Sequence, residues 1–416
     1  MKKYFLFISI FIYMHSWSQN EIKEYVIHNA YQISNIDTGS TNYDDLEPIG
    51  NAIGNARIVM LGEQDHGDAP AFLAKTRLIK YLHEKKGFNV LAFESDFYAL
   101  TGGWDQLPKQ EDSIRSFIKW NIYPIWAFAD ACHNLLFNYI PGTFKTNRPL
   151  NITGIDNQVV LEYSQKNLIQ SFDSVCRATD AYHRFDSVSY NKLLEFISTL
   201  QKSHIGKYMD KRNVKYFHDL LIKARQAFIE NSNHDYWGTI IDNLVSLNNE
   251  LMPGNKNYNE TRDKEMAKNL IWLLANKYAN EKVIVWAANT HIMKSRDTFT
   301  GKVLFNNMGT NFVNTDSYLN TTYILGFASY SGEAGRIGSK SYKIPNVKKG
   351  SFEEWINKEY DFAFVNFKNT PFASKNEDFW MKSPGHFYSN TKIPWNKTYD
   401  GIFFIRNMYL AKPVVK

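Results

Sequence analysis

Four consecutive apolar residues, Ile58 to Leu61, end at Gly62, and a polar run, "EQDHGD", fills 63–68 before the chain turns apolar again. A short unbroken apolar run predicts a strand buried on both faces. The following stretch, "APAFLAKTRLIKYLHEKKG", places Phe72, Leu73, Leu78, Ile79 and Leu82 at helical spacing. Asp68 is its candidate N-cap, Pro70 suits its first turn and Gly87 its C-terminal stop. "FNVLAFES" is the next apolar run. Strand, helix and strand over 57–95 predict a βαβ unit in a parallel sheet. Further strands are expected in "RPLNITGID", "EKVIVWAANTH", "TTYILGFASYS", "DFAFVNF" and "GIFFIRN". Between them, 111–140 and about 160–280 carry helical periodicity. The predicted class is α/β: a mostly parallel sheet flanked by helices, with a long helical insertion, about 160–280. No short repeat interrupts this plan.

The polar rim adds chemistry. In open α/β sheets ligands bind beyond the carboxyl ends of the strands. Those ends carry Glu63, Asp65 and His66, then Glu94 and Asp96, then Asp156, then Asn289 and His291. Each alone is an ordinary solvated loop residue. Together they are the parts of an acid–base site, in which a carboxylate fixes an imidazole that takes a proton from water. No GxSxG elbow supplies a serine nucleophile. A metal site built from the histidines and glutamates is the chemical alternative, although the HExxH spacing is absent. A non-catalytic cleft holding a macrocycle, haem or polysaccharide is the third reading. The glycine-rich "SGEAGRIGSKS" lacks the P-loop lysine after Gly338 and is expected to be a surface turn.

Composition narrows the rest. The chain has 416 residues, 44% apolar and 22% charged, with 15% aromatics. That suits one large globular domain or two moderate ones. The formal charge of +6 is scattered, which gives no basic stripe and no nucleic-acid partner. The start, "MKKYFLFISIFIYMHSWSQ", has a basic end, a short apolar stretch and small residues, so 1–18 is expected to be a signal peptide and 19–416 the mature domain. Export to the periplasm or medium, with no membrane anchor, follows. Cys132 and Cys176, the two cysteines, could pair in an exported protein.

Four segments resemble the erythromycin esterase family, in family order: "GEQDHG" at 62–67, "LAFESDF" at 91–97, "TRDKEMAKNLIWL" at 261–273 and "VIVWAANTHIMK" at 283–294. The resemblance implies an α/β fold with a helical part over the cleft. It further implies hydrolysis of a macrolide lactone without a cofactor, and hence antibiotic resistance. It makes His66 the general base, with Glu63 and Glu94 orienting the histidines. Arg262 and His291 would stabilise the oxyanion or leaving group. Lys75, Arg77, Asn289 and Asp156 are the candidate substrate contacts. Three positions depart from the family pattern: Lys75 stands where an arginine is usual, Asp68 is the only acid where a glutamate often follows the HG, and Ala288 stands where a second histidine is common. His15, His83, His133, His183, His204, His218, His234 and His386 have no spacing that recommends them.

Overall fold

The computed structural model describes residues 21–179, 181–202, 211–230, 235–294, 306–315, 318–373, 375–382 and 388–414. The expected signal peptide lies outside the described residues, as do His15, His204, His234 and His386.

Eleven strands are present among the described residues: β1 (Tyr31–Ile33), β2 (Ile58–Leu61), β3 (Phe88–Asp96), β4 (Asn151–Asp156), β5 (Lys282–Trp286), β6 (Thr322–Ala334), β7 (Tyr342–Lys343), β8 (Phe362–Asn366), β9 (Phe379–Lys382), β10 (Asn390–Ile393) and β11 (Gly401–Met408). Nine form one sheet in the order β1-β8-β11-β6-β2-β5-β3-β4, with β7 on the end of β6. The run from β11 to β4 is parallel throughout. β8 and β1 add an antiparallel edge. β9 and β10 pair separately. The mostly parallel sheet expected from the apolar runs is the one observed.

Alternation along each strand divides the core into two layers. Ile58 and Met60 of β2, with Val90 and Ala92 of β3, enter one layer. Val59, Leu61, Leu91 and Phe93 enter the other. The second layer is covered by α1 (Ala69–Lys86) through Phe72, Leu78, Ile79 and Leu82. Gly87 ends α1 in the left-handed conformation, with φ 76°. Asp68 occupies the N-cap position, but its side chain does not cap the helix.

The first layer is covered by the long insertion: α2 (Glu162–Ala178), α3 (Ser187–Leu200), α4 (Lys211–Glu230), α5 (Asp235–Glu250) and α6 (Tyr258–Trp272). Among the described residues no helix is long and apolar enough to cross a membrane. Cys132 belongs to one core layer and Cys176 to the other, and both are buried free thiols. The sheet that separates them rules out the pairing the sequence allowed.

"SGEAGRIGSKS" meets its expectation in its second half, where 338–341 are exposed and 337–339 turn, and departs from it in the first. β6 continues through Ala334, and the Gly335 carbonyl packs against Gly67 so closely that a Cβ there would lie 1.7 Å away. Arg336 then pairs with Asp65 at 3.2 Å. The segment is a prop under the 62–67 loop.

Candidate active site

The register sets the geometry. Leu61 of β2 and Phe93 of β3 both pair with Trp286 of the intervening β5. The next residues of three neighbouring strands therefore emerge side by side at the carboxyl edge. They bring Glu63, Glu94 and the Ala288–His291 turn together. Backbone bonds lock the row: Asn289 N donates to Glu63 O at 2.8 Å, and Ala288 N donates to the Glu94 carboxylate at 3.0 Å.

Glu63 is completely buried. One carboxylate oxygen accepts from Lys75 Nζ, itself fully buried and 3.9 Å above the centre of the Trp286 ring. The other lies 3.2 Å from the Trp126 indole N–H and 3.1 Å from His66 Nδ1. Burial pulls the Lys75 amine below the ordinary lysine range, and the Glu63 carboxylate opposes that pull. With Nδ1–H donating to the carboxylate, His66 Nε2 keeps its lone pair. Nε2 has no hydrogen-bond partner among the described residues, and the His66 side chain is 15% exposed. Trp126 packs edge-on to the imidazole, with ring centres 5.6 Å apart.

His291 is held differently. Nδ1 lies 2.6 Å from Asp263 and Nε2 lies 3.1 Å from Glu94. Burial disfavours the charged ring, but the Asp263 and Glu94 carboxylates outweigh it and raise its pKa to about 10. The ring is an imidazolium at neutral pH. Burial alone would raise the Glu94 pKa; the His291 charge, with Arg262 and His66, instead holds it well below the usual carboxylate range. Arg262 reaches in from α6, 3.0 Å from Glu94, and forms a fork on Asp156 at 3.0 and 2.5 Å. Tyr123 donates to the same aspartate at 2.9 Å.

The rim thus gathers Glu63, His66, Glu94, Arg262 and His291, with Lys75 and Asp156 behind them. Other sequence candidates lie elsewhere. Arg77 is on the far side of α1, clamped to Asp45 at 2.6 Å and to the carbonyls of Asn35 and Asn42. The helical turn between 75 and 77 carries it away from the cleft. The Asn289 side chain is buried and bonds the backbone of Phe327 through both its amide groups, which splices β5 to β6. It presents no group to a substrate. Lys75, fully buried behind Glu63, supports the site from within.

The remaining acids of the opening cluster are structural. Asp65 accepts from Tyr342 and Arg336. Asp68 accepts from Asp65 N and from Tyr388 at 2.5 Å, and its burial raises its pKa to about 8. Asp96 receives the backbone N–H groups of Ala99 and Leu161.

Asp263 and the indole N–H of Trp126 are site groups that spacing did not single out. Asp263 follows Arg262 directly, and on a helix adjacent residues face about 100° apart. Here the rim wraps the helix far enough to meet both. Among the described residues no group of three or more His, Cys, Asp or Glu side chains could hold a metal ion.

Two carboxylate-bound histidines stand on the rim of a parallel α/β sheet, an arrangement with the parts that acid–base chemistry needs. The erythromycin esterase family pattern matches residues 83–408, and the chain belongs to that family of hydrolases. The matched span contains Glu94, Asp156, Arg262 and His291 and begins after His66. The Bacillus subtilis protein YbfO, named provisionally as a hydrolase, is 26% identical over 90% of this chain and 88% of its own length. An erythromycin esterase type II of Escherichia coli is 23% identical over 90% and 94%. A histidine-to-asparagine variant of the erythromycin esterase EreC, in an open conformation, shares the fold, with a TM-score of 0.69 and 15% identity over 92% of this chain and 98% of that one.

Two outcomes test this geometry. Lys75→Met leaves Glu63 charged and buried without its cation, and is expected to cost about 3–5 kcal/mol of stability in denaturant unfolding. The charge on His291 contributes stability that is complete below its unfolded pKa of about 6.5 and is lost as pH rises through about 10. Asp263→Asn removes one of the two anions, so the ring should release its proton at lower pH in an NMR titration. An unchanged titration would contradict the assigned pair.

Proposed function

We propose that the protein is an exported hydrolase that adds water to the lactone ester of a macrolide such as erythromycin, and so confers resistance. Its mature domain, 19–416, would work in the periplasm or outside the cell. The substrate reading rests on the names of the relatives; the chemistry rests on the rim. The observation that carries it is the contrast between the two histidines. One has a carboxylate on Nδ1 and an open Nε2; the other is charged between two carboxylates.

Water seated at His66 Nε2 gives up its proton as its oxygen attacks the ester carbonyl. Glu63 holds the tautomer and stabilises the imidazolium that forms. Negative charge on the carbonyl oxygen develops beside the cationic His291 and Arg262. Collapse of the tetrahedral species expels the ring alkoxide, which needs a proton. His291 Nε2–H can supply it once the substrate oxygen displaces Glu94 from that nitrogen. Glu94 then keeps its bonds to Arg262 and the Ala288 N–H. No covalent enzyme intermediate is required.

Incubation of the purified protein with erythromycin should yield a product one water heavier by mass spectrometry. His66→Ala should slow the reaction about 10²–10⁴-fold, the range typical of a general base. Wild-type protein that is folded and leaves every macrolide and simple lactone intact would remove the substrate assignment.

A further inference from the structure

A second cavity lies on the insertion side of the sheet, apart from the acid–base rim. Its volume is about 480 Å³, and none of its lining residues belongs to the histidine–carboxylate set. That size falls within the range of small-molecule sites. Four aromatic rings form a continuous wall: Tyr163 touches Tyr98 at 5.7 Å, Tyr98 touches Trp237 at 5.9 Å, and Trp237 touches Tyr236 at 6.1 Å between centres. Gln106, Gln170, Ser171 and Ser174 supply amides and hydroxyls. Among the described residues, no lining side chain carries a charge. Two acids that adjoin the lining in sequence are already paired, Asp105 with Lys277 at 2.7 Å and Asp173 with Arg177 at 3.0 Å.

The backbone is adapted to this wall. Ala99–Gly103 is a π-helical turn, a rare form that concentrates at functional sites. A Cβ at Gly103 would fall 2.7 Å from the Tyr163 ring. A side chain there would therefore push Tyr163 out of the wall. The Tyr236 hydroxyl, packed against Gly102, is buried with no hydrogen-bond partner among the described residues.

We propose that this cavity binds a neutral saccharide of one or two pyranose rings. The apolar C–H faces of a pyranose match aromatic planes. Its hydroxyls each donate and accept, as do glutamine amides and serine hydroxyls. A charged ligand would be desolvated there without a counter-charge. A purely apolar ring would leave the amide and hydroxyl groups of the mouth unused.

Saturation-transfer NMR and calorimetry with maltose and N,N′-diacetylchitobiose test the assignment on the whole protein. At least one should bind with a dissociation constant on the order of 1 mM. Gln170 and Ser174 are exposed positions on α2, so Ser174→Trp and Gln170→Trp fill the mouth without disturbing a core. Either should weaken binding about tenfold or more, with unchanged circular dichroism. His66→Ala should bind as wild type does, which separates this cavity from the acid–base cleft. Absence of binding by both saccharides, binding of benzyl alcohol in their place, retention of affinity in both plugged variants, or loss of affinity in His66→Ala would each overturn the proposal.

Discussion

A carboxylate with no access to water governs this structure. Glu63 sits at the end of the central strand with zero exposure, and an ion in that position requires partners on every side. It takes Lys75 from α1, the Trp126 indole from the segment after α1 and β3, and His66 from its own loop. Its backbone carbonyl takes Asn289 from the end of β5. One residue therefore joins four separate parts of the chain. Loosening any partner exposes or orphans the charge, so the position of His66 is tied to the stability of the whole sheet edge. Arrangement of a base by a buried ion is a rigid form of preorganisation.

The second carboxylate divides the labour. Glu94 emerges one strand beyond β5 and is shared by His291, Arg262 and the Ala288 N–H. A histidine flanked by two anions keeps its proton; a histidine with one anion and one open nitrogen can take a proton up. Two copies of one residue type acquire different roles from the number of carboxylates in contact. Asp156 completes the balance by forking Arg262, so that the guanidinium is aimed by a residue from β4, at the opposite end of the same row.

Much of this was legible in the apolar pattern. Buried parallel strands announce themselves as unbroken apolar runs, and the strand ends then mark where the side chains must emerge. Glu63, Glu94, Asp156 and His291 follow from that reasoning because the register of a parallel sheet aligns its strand ends. Arg262 and Asp263 do not, since a helix from a long insertion has no register with the sheet. Only the similarity of "TRDKEMAKN" to a family segment brought Arg262 forward, and Asp263 stayed hidden beside it. Arg77 was misplaced for a related reason: two basic residues at 75 and 77 look equivalent in a string, but about 200° of helical rotation separates them. Asn289 was misjudged because polarity at a strand end is ambiguous between contacting a ligand and bonding the next strand's backbone. The glycine-rich segment after β6 turns at the surface as its composition suggests, but the close approach of Gly335 to Gly67 is something local pattern does not encode.

The choice of lysine over arginine at position 75 acquires a physical meaning from these contacts. An arginine fork would donate to both oxygens of Glu63 and compete with His66 for the second. The lysine amine is a point donor. It occupies one oxygen and rests its charge on the Trp286 ring, a favourable cation–π contact in a dry environment. The second oxygen is left to the Trp126 N–H and the His66 Nδ1–H, each at ordinary hydrogen-bond distance. An imidazole in such a position is oriented by a carboxylate that is neutralised from behind. The division of one carboxylate's two oxygens thus fixes the orientation of the imidazole from one side and supplies the counter-charge from the other.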